Sequence, residues 1–157
     1  MSNEVYGYLQ APDIKNKISL LKSLQEKSGV GIKSIPFSEL FSFPQDVMPK
    51  NEDVCVAFII GDRPGKVNTS YLTDYLDYDQ KADIGFPCNG KERLGLLVSL
   101  FLSMIKESKA NRFVVAITDS SQIEQVKKIY LGDLKAEIYK DFDENAPPDC
   151  LYDVCIK

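Results

Sequence analysis

The sequence predicts an α/β fold: a mixed, mostly parallel β-sheet with helices on both faces and a C-terminal β-hairpin. Three observations predict it. Apolar runs rich in β-branched residues, Val54 to Ile60 and Phe113 to Thr118, have the character of central strands covered on both faces. Segments with helical spacing alternate with such runs, as in β-α-β units. The last strand, Cys150 to Ile156, is separated from its predecessor by Asp141 to Asp149, a loop too short for a parallel crossover. At 157 residues the chain is expected to form a single domain, residues 1–157.

The chain opens with a strand: Val5, Gly7 and Leu9 alternate with Tyr6, Tyr8 and Gln10. Pro12 suits the first turn of a helix and Asp13 its positive end. Ile14, Ile18, Leu21 and Leu24 supply its apolar face, and Gly29 stops it. Val30 to Ile35 is a short strand. Prolines 36, 44 and 49 mark Pro36 to Lys50 as a connection with one helical turn. After the strand Val54 to Ile60 and a loop over 61–69, the spacing of Tyr71, Tyr75 and Tyr78 predicts a helix over Thr69 to Asp79. Asn89 and Glu92 resemble a capping box, which opens a helix to about Ser108. That helix is apolar nearly all round, so it is expected to be the most buried one. Phe113 to Thr118 is a strand. Ser121 and Glu124 form a capping box for a helix to Gly132, with Ile123, Val126 and Tyr130 on one face. Leu134, Ala136 and Ile138 alternate with Lys135, Glu137 and Tyr139, which predicts a strand.

Composition excludes much chemistry. The chain has no histidine. That removes Ser-His-Asp and Cys-His catalysis, histidine-ligated metals and the commonest general base near neutral pH. The four cysteines, Cys55, Cys88, Cys150 and Cys155, have no CxxC pairing and lack the spacing of a zinc site. Met1-Ser2-Asn3-Glu4 has no basic region before an apolar core, so no signal peptide is expected, and no apolar run approaches the length of a membrane span. A cytoplasmic protein is expected, with no cofactor, no metal and no membrane partner.

The local motifs fall short of the chemistry they would serve. Gly61-Asp62-Arg63-Pro64-Gly65-Lys66-Val67 is one residue short of a phosphate-binding loop. Pro64 removes an amide from the cradle, and Val67 stands where a hydroxyl would bind magnesium. Arg63-Pro64-Gly65 is expected to be an ordinary turn. Asp77-x-Asp79-x-Lys81-x-Asp83 lacks the oxygen ligand, glycine and glutamate that a calcium loop needs later on. Val5-Tyr6-Gly7-Tyr8-Leu9 resembles the opening strand of serine recombinases. Gln10, Ala11 and Pro12 replace the arginine and nucleophilic serine that come next in that family, so its chemistry is not carried over. Asp62 and Asp119 each come just after a central strand, where open α/β sheets bind ligands. If those strands were neighbours, the two carboxylates would face each other, with Lys66 or Ser120 beside them. This is the enzyme alternative: a Rossmann-like enzyme or nucleotide-binding domain.

The net charge of −4 is unevenly spread. Residues 51–90 carry seven acids and three bases; residues 135–157 carry six acids and three bases. Within these blocks Tyr71, Asp74, Tyr75, Asp77, Tyr78, Asp79 and Asp83 form one acidic, tyrosine-bearing run, and Asp141, Asp143 and Glu144 a second. Tyrosine gives large contact area with a polar tip, and carboxylates steer a basic partner. No basic footprint for nucleic acid is present. The expected function is therefore non-catalytic: binding a basic protein partner through these residues, as a monomer or weak homodimer. Small size, acidity and the lack of a catalytic kit resemble bacterial immunity proteins, which inhibit a cognate toxin. The expected mechanism is occlusion of the toxin's basic active site, such as that of a nuclease.

Overall fold

A computed structural model describes residues 3–12, 14, 17–76 and 85–156. Six strands form one sheet: β1 (Asn3–Gln10), β2 (Gly31–Ile35), β3 (Cys55–Gly61), β4 (Arg112–Asp119), β5 (Gln125–Tyr130) and β6 (Cys150–Cys155). Their order across the sheet is β2-β3-β1-β4-β6-β5. Three helices accompany them: α1 (Lys17–Ser28), α2 (Gly90–Ser108) and α3 (Leu134–Glu144).

The sheet is mixed but mostly antiparallel, which corrects the expectation of a mostly parallel one. β1 runs antiparallel to both β3 and β4, β2 antiparallel to β3, and β4 antiparallel to β6. The parallel pair is β5 with β6. The physical reason lies in the connections. α1 carries the chain from β1 past β3 to β2, and α2 carries it from β3 past β1 to β4. Each crossover skips a strand, and an antiparallel strand fills the gap. This is the split β-α-β, or ferredoxin-like, arrangement. β5, α3 and β6 extend it as a direct β-α-β unit.

That unit overturns two more expectations. The segment 121–132 is not a helix, and 134–139 is not a strand. β5 occupies Gln125–Tyr130 and α3 begins at Leu134. There is accordingly no C-terminal hairpin; the last two strands are parallel and joined through α3. On α3, Leu134, Ile138 and Phe142 lie four apart and are all buried, while Ala136 is exposed. The helical period, rather than the two-residue one, reaches the core.

All three helices pack on one face of the sheet, not on both. Leu21 and Leu24 of α1, Leu94 and Phe101 of α2, and Ile138 and Phe142 of α3 share a core with Val5, Leu9, Phe58, Phe113 and Val115. Phe113 is its centre, with ring centroids 5.6 Å from Phe58 and 5.4 Å from Phe101. The opposite residues, Tyr6, Tyr8, Ala57, Val114 and Ala116, form a second core. The long β2–β3 connection covers it, folding into short 3-10 turns at Phe37–Leu40, Gln45–Val47 and Glu52–Val54. Leu40, Phe43 and Val47 are buried there, and the Tyr8 hydroxyl donates to the Val47 carbonyl at 2.5 Å. Burying such side chains contributes roughly 1.5–3 kcal/mol each.

α2 begins as its sequence predicts. The Asn89 side chain accepts from the amides of Lys91 and Glu92. Its buried residues include Leu94, Leu97, Leu100, Phe101 and Met104. Among the described residues, no helix is long and apolar enough to cross a membrane.

Candidate functional site

The strand register gathers acidic loops at one end of the sheet. Asn3 pairs with Asp119 and Glu4 with Thr118. Val5 pairs with Ile60, so β3 leaves the sheet at the same end, through Asp62. Ile117 pairs with Cys150, so β6 enters there behind Asp149. Gln125 also pairs with Cys150, so β5 enters there behind Glu124. Alternation of strand direction thus brings Glu4, Asp62, Asp119, Glu124 and Asp149 to one end, although they span most of the chain.

The loop after β3 is a turn. The Lys66 amide donates to the Arg63 carbonyl at 3.0 Å, and Gly65 takes a φ of 87°. Proline before a glycine at left-handed φ is the signature of a type II turn. The amide of Asp62 is committed to the Asn68 carbonyl at 2.8 Å. Two amides are therefore used internally and Pro64 has none, so the loop offers no phosphate cradle. A Cβ on Gly61 would collide with the Lys66 carbonyl, which explains why glycine ends β3. A concavity of about 320 Å³ lies beside this turn, lined by Asp62, Lys66, Asn68, Ser70, Tyr71 and Phe86 among others.

Asp62 organises the segment after the turn. Its carboxylate accepts from the amides of Tyr71 and Leu72, at 3.1 to 3.2 Å. It is 7% exposed, and burial raises its pKa, against the pull of those two amides. Thr69 to Thr73 form a single helical turn, closed by the Thr73 amide on the Thr69 carbonyl at 2.9 Å. The expected helix over Thr69 to Asp79 is not formed over its described part: Asp74 and Tyr75 lie in irregular chain past the turn.

Arg93 holds that segment down. It is fully buried in the first turns of α2. Its Nε donates to the Tyr71 carbonyl at 2.8 Å, and one terminal nitrogen donates to the Pro87 carbonyl at 3.1 Å. Its terminal nitrogens also donate to the carbonyls of Cys88, Asp74 and Leu76. The guanidinium fork so ties both ends of the Tyr/Asp segment to α2. Sequence reading missed Arg93. The available signal was a lone arginine inside the most apolar helix of the chain.

The structure brings the two acidic blocks together. The Tyr75 hydroxyl donates to Asp143 Oδ1 at 2.9 Å, and the Tyr75 ring lies 5.7 Å from that of Phe142. Burial first, and then the Asp143 carboxylate, push the Tyr75 phenol up to about 12. Tyr71 is 37% exposed, Asp74 is half-buried with its carboxylate accepting from the Leu76 amide, and Asp143 and Glu144 are exposed. Leu76 stands 75% exposed beside them. Asp77, Tyr78, Asp79 and Asp83 lie outside the described residues.

Asp141 has a different place from the one expected of it. It is buried, accepting from Lys127 Nζ at 2.7 Å and from the Tyr152 hydroxyl at 2.8 Å. Lys127 also reaches Glu137 at 3.1 Å. Asp141 pushes the Lys127 ammonium up, and burial pushes the Tyr152 phenol up. This carboxylate pins α3 to β5 and β6 and is turned into the protein.

Asp62 and Asp119 do not face each other. β1 lies between β3 and β4, which sets them about 10 Å apart at the usual strand spacing. The Asp119 amide donates to Asp149 Oδ1 at 2.6 Å, and its own carboxylate accepts from Ser120. Among the described residues, no group of three or more Asp, Glu or Cys side chains is placed to hold a metal ion. The arrangement offers carboxylates, tyrosines and an exposed leucine on one rim, which suits contact with a protein surface. No family model, no curated protein and no solved structure matches the chain.

Proposed function

We propose that this chain is a non-catalytic binding protein of the bacterial immunity type, which neutralises a toxin by occluding its basic site. One observation carries the reading: the Tyr75–Asp143 bond, which joins two acidic segments 68 residues apart into one surface. Around that bond stand Tyr71, Asp74, Leu76 and Glu144. Aromatic and apolar anchors inside a charged rim are the anatomy of a protein interface. The carboxylates gathered at this end of the sheet would speed the approach of a basic partner and favour one orientation.

The test is co-expression with the product of the neighbouring gene, then capture and measurement of the association rate against salt. Capture of that product is expected, with an on-rate that falls as ionic strength rises. Replacing Asp143→Lys and Glu144→Lys together is expected to abolish capture while leaving the circular dichroism unchanged. Failure of any neighbouring product to bind, or capture that survives the charge reversal, would overturn the reading.

A further inference from the structure

The sheet face opposite the helices carries a second feature. A cleft of about 360 Å³ opens there between β1, β3 and the first 3-10 turn of the β2–β3 connection. Its walls are aromatic and aliphatic: Tyr6, Phe41, Ile35 and Ile59. Glu4 and Glu39 supply carboxylates. Phe41 is 79% exposed, although phenylalanine is among the residues most often buried. The volume falls in the range of small-ligand sites, which combine apolar walls with a few placed polar groups.

The polar groups around the cleft are tied to one another. Thr118 sits directly across from Glu4 in the register of β1 and β4, and it is fully buried. Its hydroxyl lies within hydrogen-bonding reach of that of Tyr6. Neighbouring groups are satisfied: the Tyr6 hydroxyl lies 2.5 Å from Ser42 Oγ, and Ser121 donates to Glu4.

We propose that this cleft binds an alkylguanidinium group, the end of an arginine side chain presented by another polypeptide. The chemistry selects it. A planar cation stacks on an exposed ring such as Phe41. Its forked N–H donors match carboxylates, here Glu4 and Glu39, better than a point-charge ammonium does. Its methylene stem packs on Ile35 and Ile59. The site shares Glu4 with the acidic end of the sheet but none of Tyr71, Asp74, Tyr75, Leu76, Asp143 and Glu144, so substitutions at Asp143 and Glu144 test the immunity reading separately from it.

The test is a titration of the protein with N-acetyl-arginine methylamide, read by backbone amide shifts in nuclear magnetic resonance. Saturable shifts are expected at Ile35, Phe41 and Ile59, with a Kd of roughly millimolar order for so small a ligand. The citrulline analogue, neutral and of the same shape, is expected to give none. Phe41→Ala and Glu39→Gln alter exposed residues, so both are expected to fold, and each to weaken binding about fivefold or more. Absence of saturable shifts, equal binding of citrulline, or unchanged binding in both variants overturns the site. Equal binding of the lysine derivative overturns the guanidinium assignment. Charge reversal at Asp143 and Glu144 is expected to leave this titration unchanged, which separates its failure from that of the partner-capture experiment.

Discussion

The hydroxyl of Tyr75 donates to the carboxylate of Asp143 at 2.9 Å, and the same tyrosine ring packs against Phe142. Removing the bond while keeping the ring separates the two contributions. Tyr75→Phe is expected to cost less than about 1 kcal/mol of stability, since the bond is near the surface. Its pH signature is more specific. The Tyr75 phenol titrates at about 12 in the folded chain against 10.0 for an unperturbed tyrosine. A raised folded value means that the stabilisation is complete below the unfolded value and is lost as pH rises from there through the folded one. Urea midpoints measured from neutral pH to about pH 12 are expected to fall less steeply in the variant than in the parent.

Arg93 is the residue on which the Tyr/Asp segment hangs. Arg93→Met fills similar space with no donor and strands the carbonyls of Tyr71, Asp74, Leu76, Pro87 and Cys88. Each buried carbonyl left unsatisfied costs on the order of 1–3 kcal/mol, so a loss of about 3 kcal/mol or more is expected by urea denaturation. Arg93→Lys is expected to recover part of this, because an ammonium has three donors and no fork.

Asp62 is expected to show opposite responses to two substitutions. Asp62→Ala removes the acceptor for the Tyr71 and Leu72 amides, at about 1–2 kcal/mol, the usual cost of a lost cap. Asp62→Asn keeps an acceptor and removes a buried charge. Burial raises the Asp62 pKa above 3.8, so the parent loses stability as pH climbs from that value through the raised one. The asparagine variant is expected to match or exceed the parent at neutral pH and to lose that relative advantage in acid. Thermal melts at acid and neutral pH would check it.

Asp141 and Asp143 are neighbours in sequence with different fates. Asp141→Ala leaves Lys127 and Tyr152 without their shared acceptor and is expected to cost about 3–5 kcal/mol. Asp143→Ala, at an exposed position, is expected to stay within about 1 kcal/mol of the parent. Denaturant unfolding of the two variants side by side distinguishes a structural carboxylate from a surface one.

Most elements were legible from pattern. The first four strands, α2 and β6 lie close to where spacing and capping residues put them; α1 ends before Gly29 as expected but begins at Lys17 rather than at Pro12, and Ile18, expected on its apolar face, is 76% exposed. β5 and α3 were exchanged, for a physical reason. β5 is an edge strand: Val126, Lys128 and Tyr130 are exposed and its other side is only half-buried. With little to bury, it carries no clean two-residue alternation, and Ser121 with Glu124 imitated a helix start. α3 opens with Leu134, Ala136 and Ile138, which satisfies a strand period until Phe142 discloses the helical one. Sheet direction was not legible at all, because which strand fills the gap beneath a crossover is decided by long-range pairing. Of the candidate surface, composition identified both acidic blocks. It could not tell that Asp141 points inward, or that a buried arginine shapes the loop.

The surface joined by Tyr75 and Asp143 has two authors in the order of synthesis. Tyr75 leaves the ribosome well before Asp143, and the C-terminal β5-α3-β6 unit must dock before the pair can close. A nascent or shortened chain carries one half of the surface and lacks the other. On the proposed binding reading, recognition through this surface would wait until the β5-α3-β6 unit has docked.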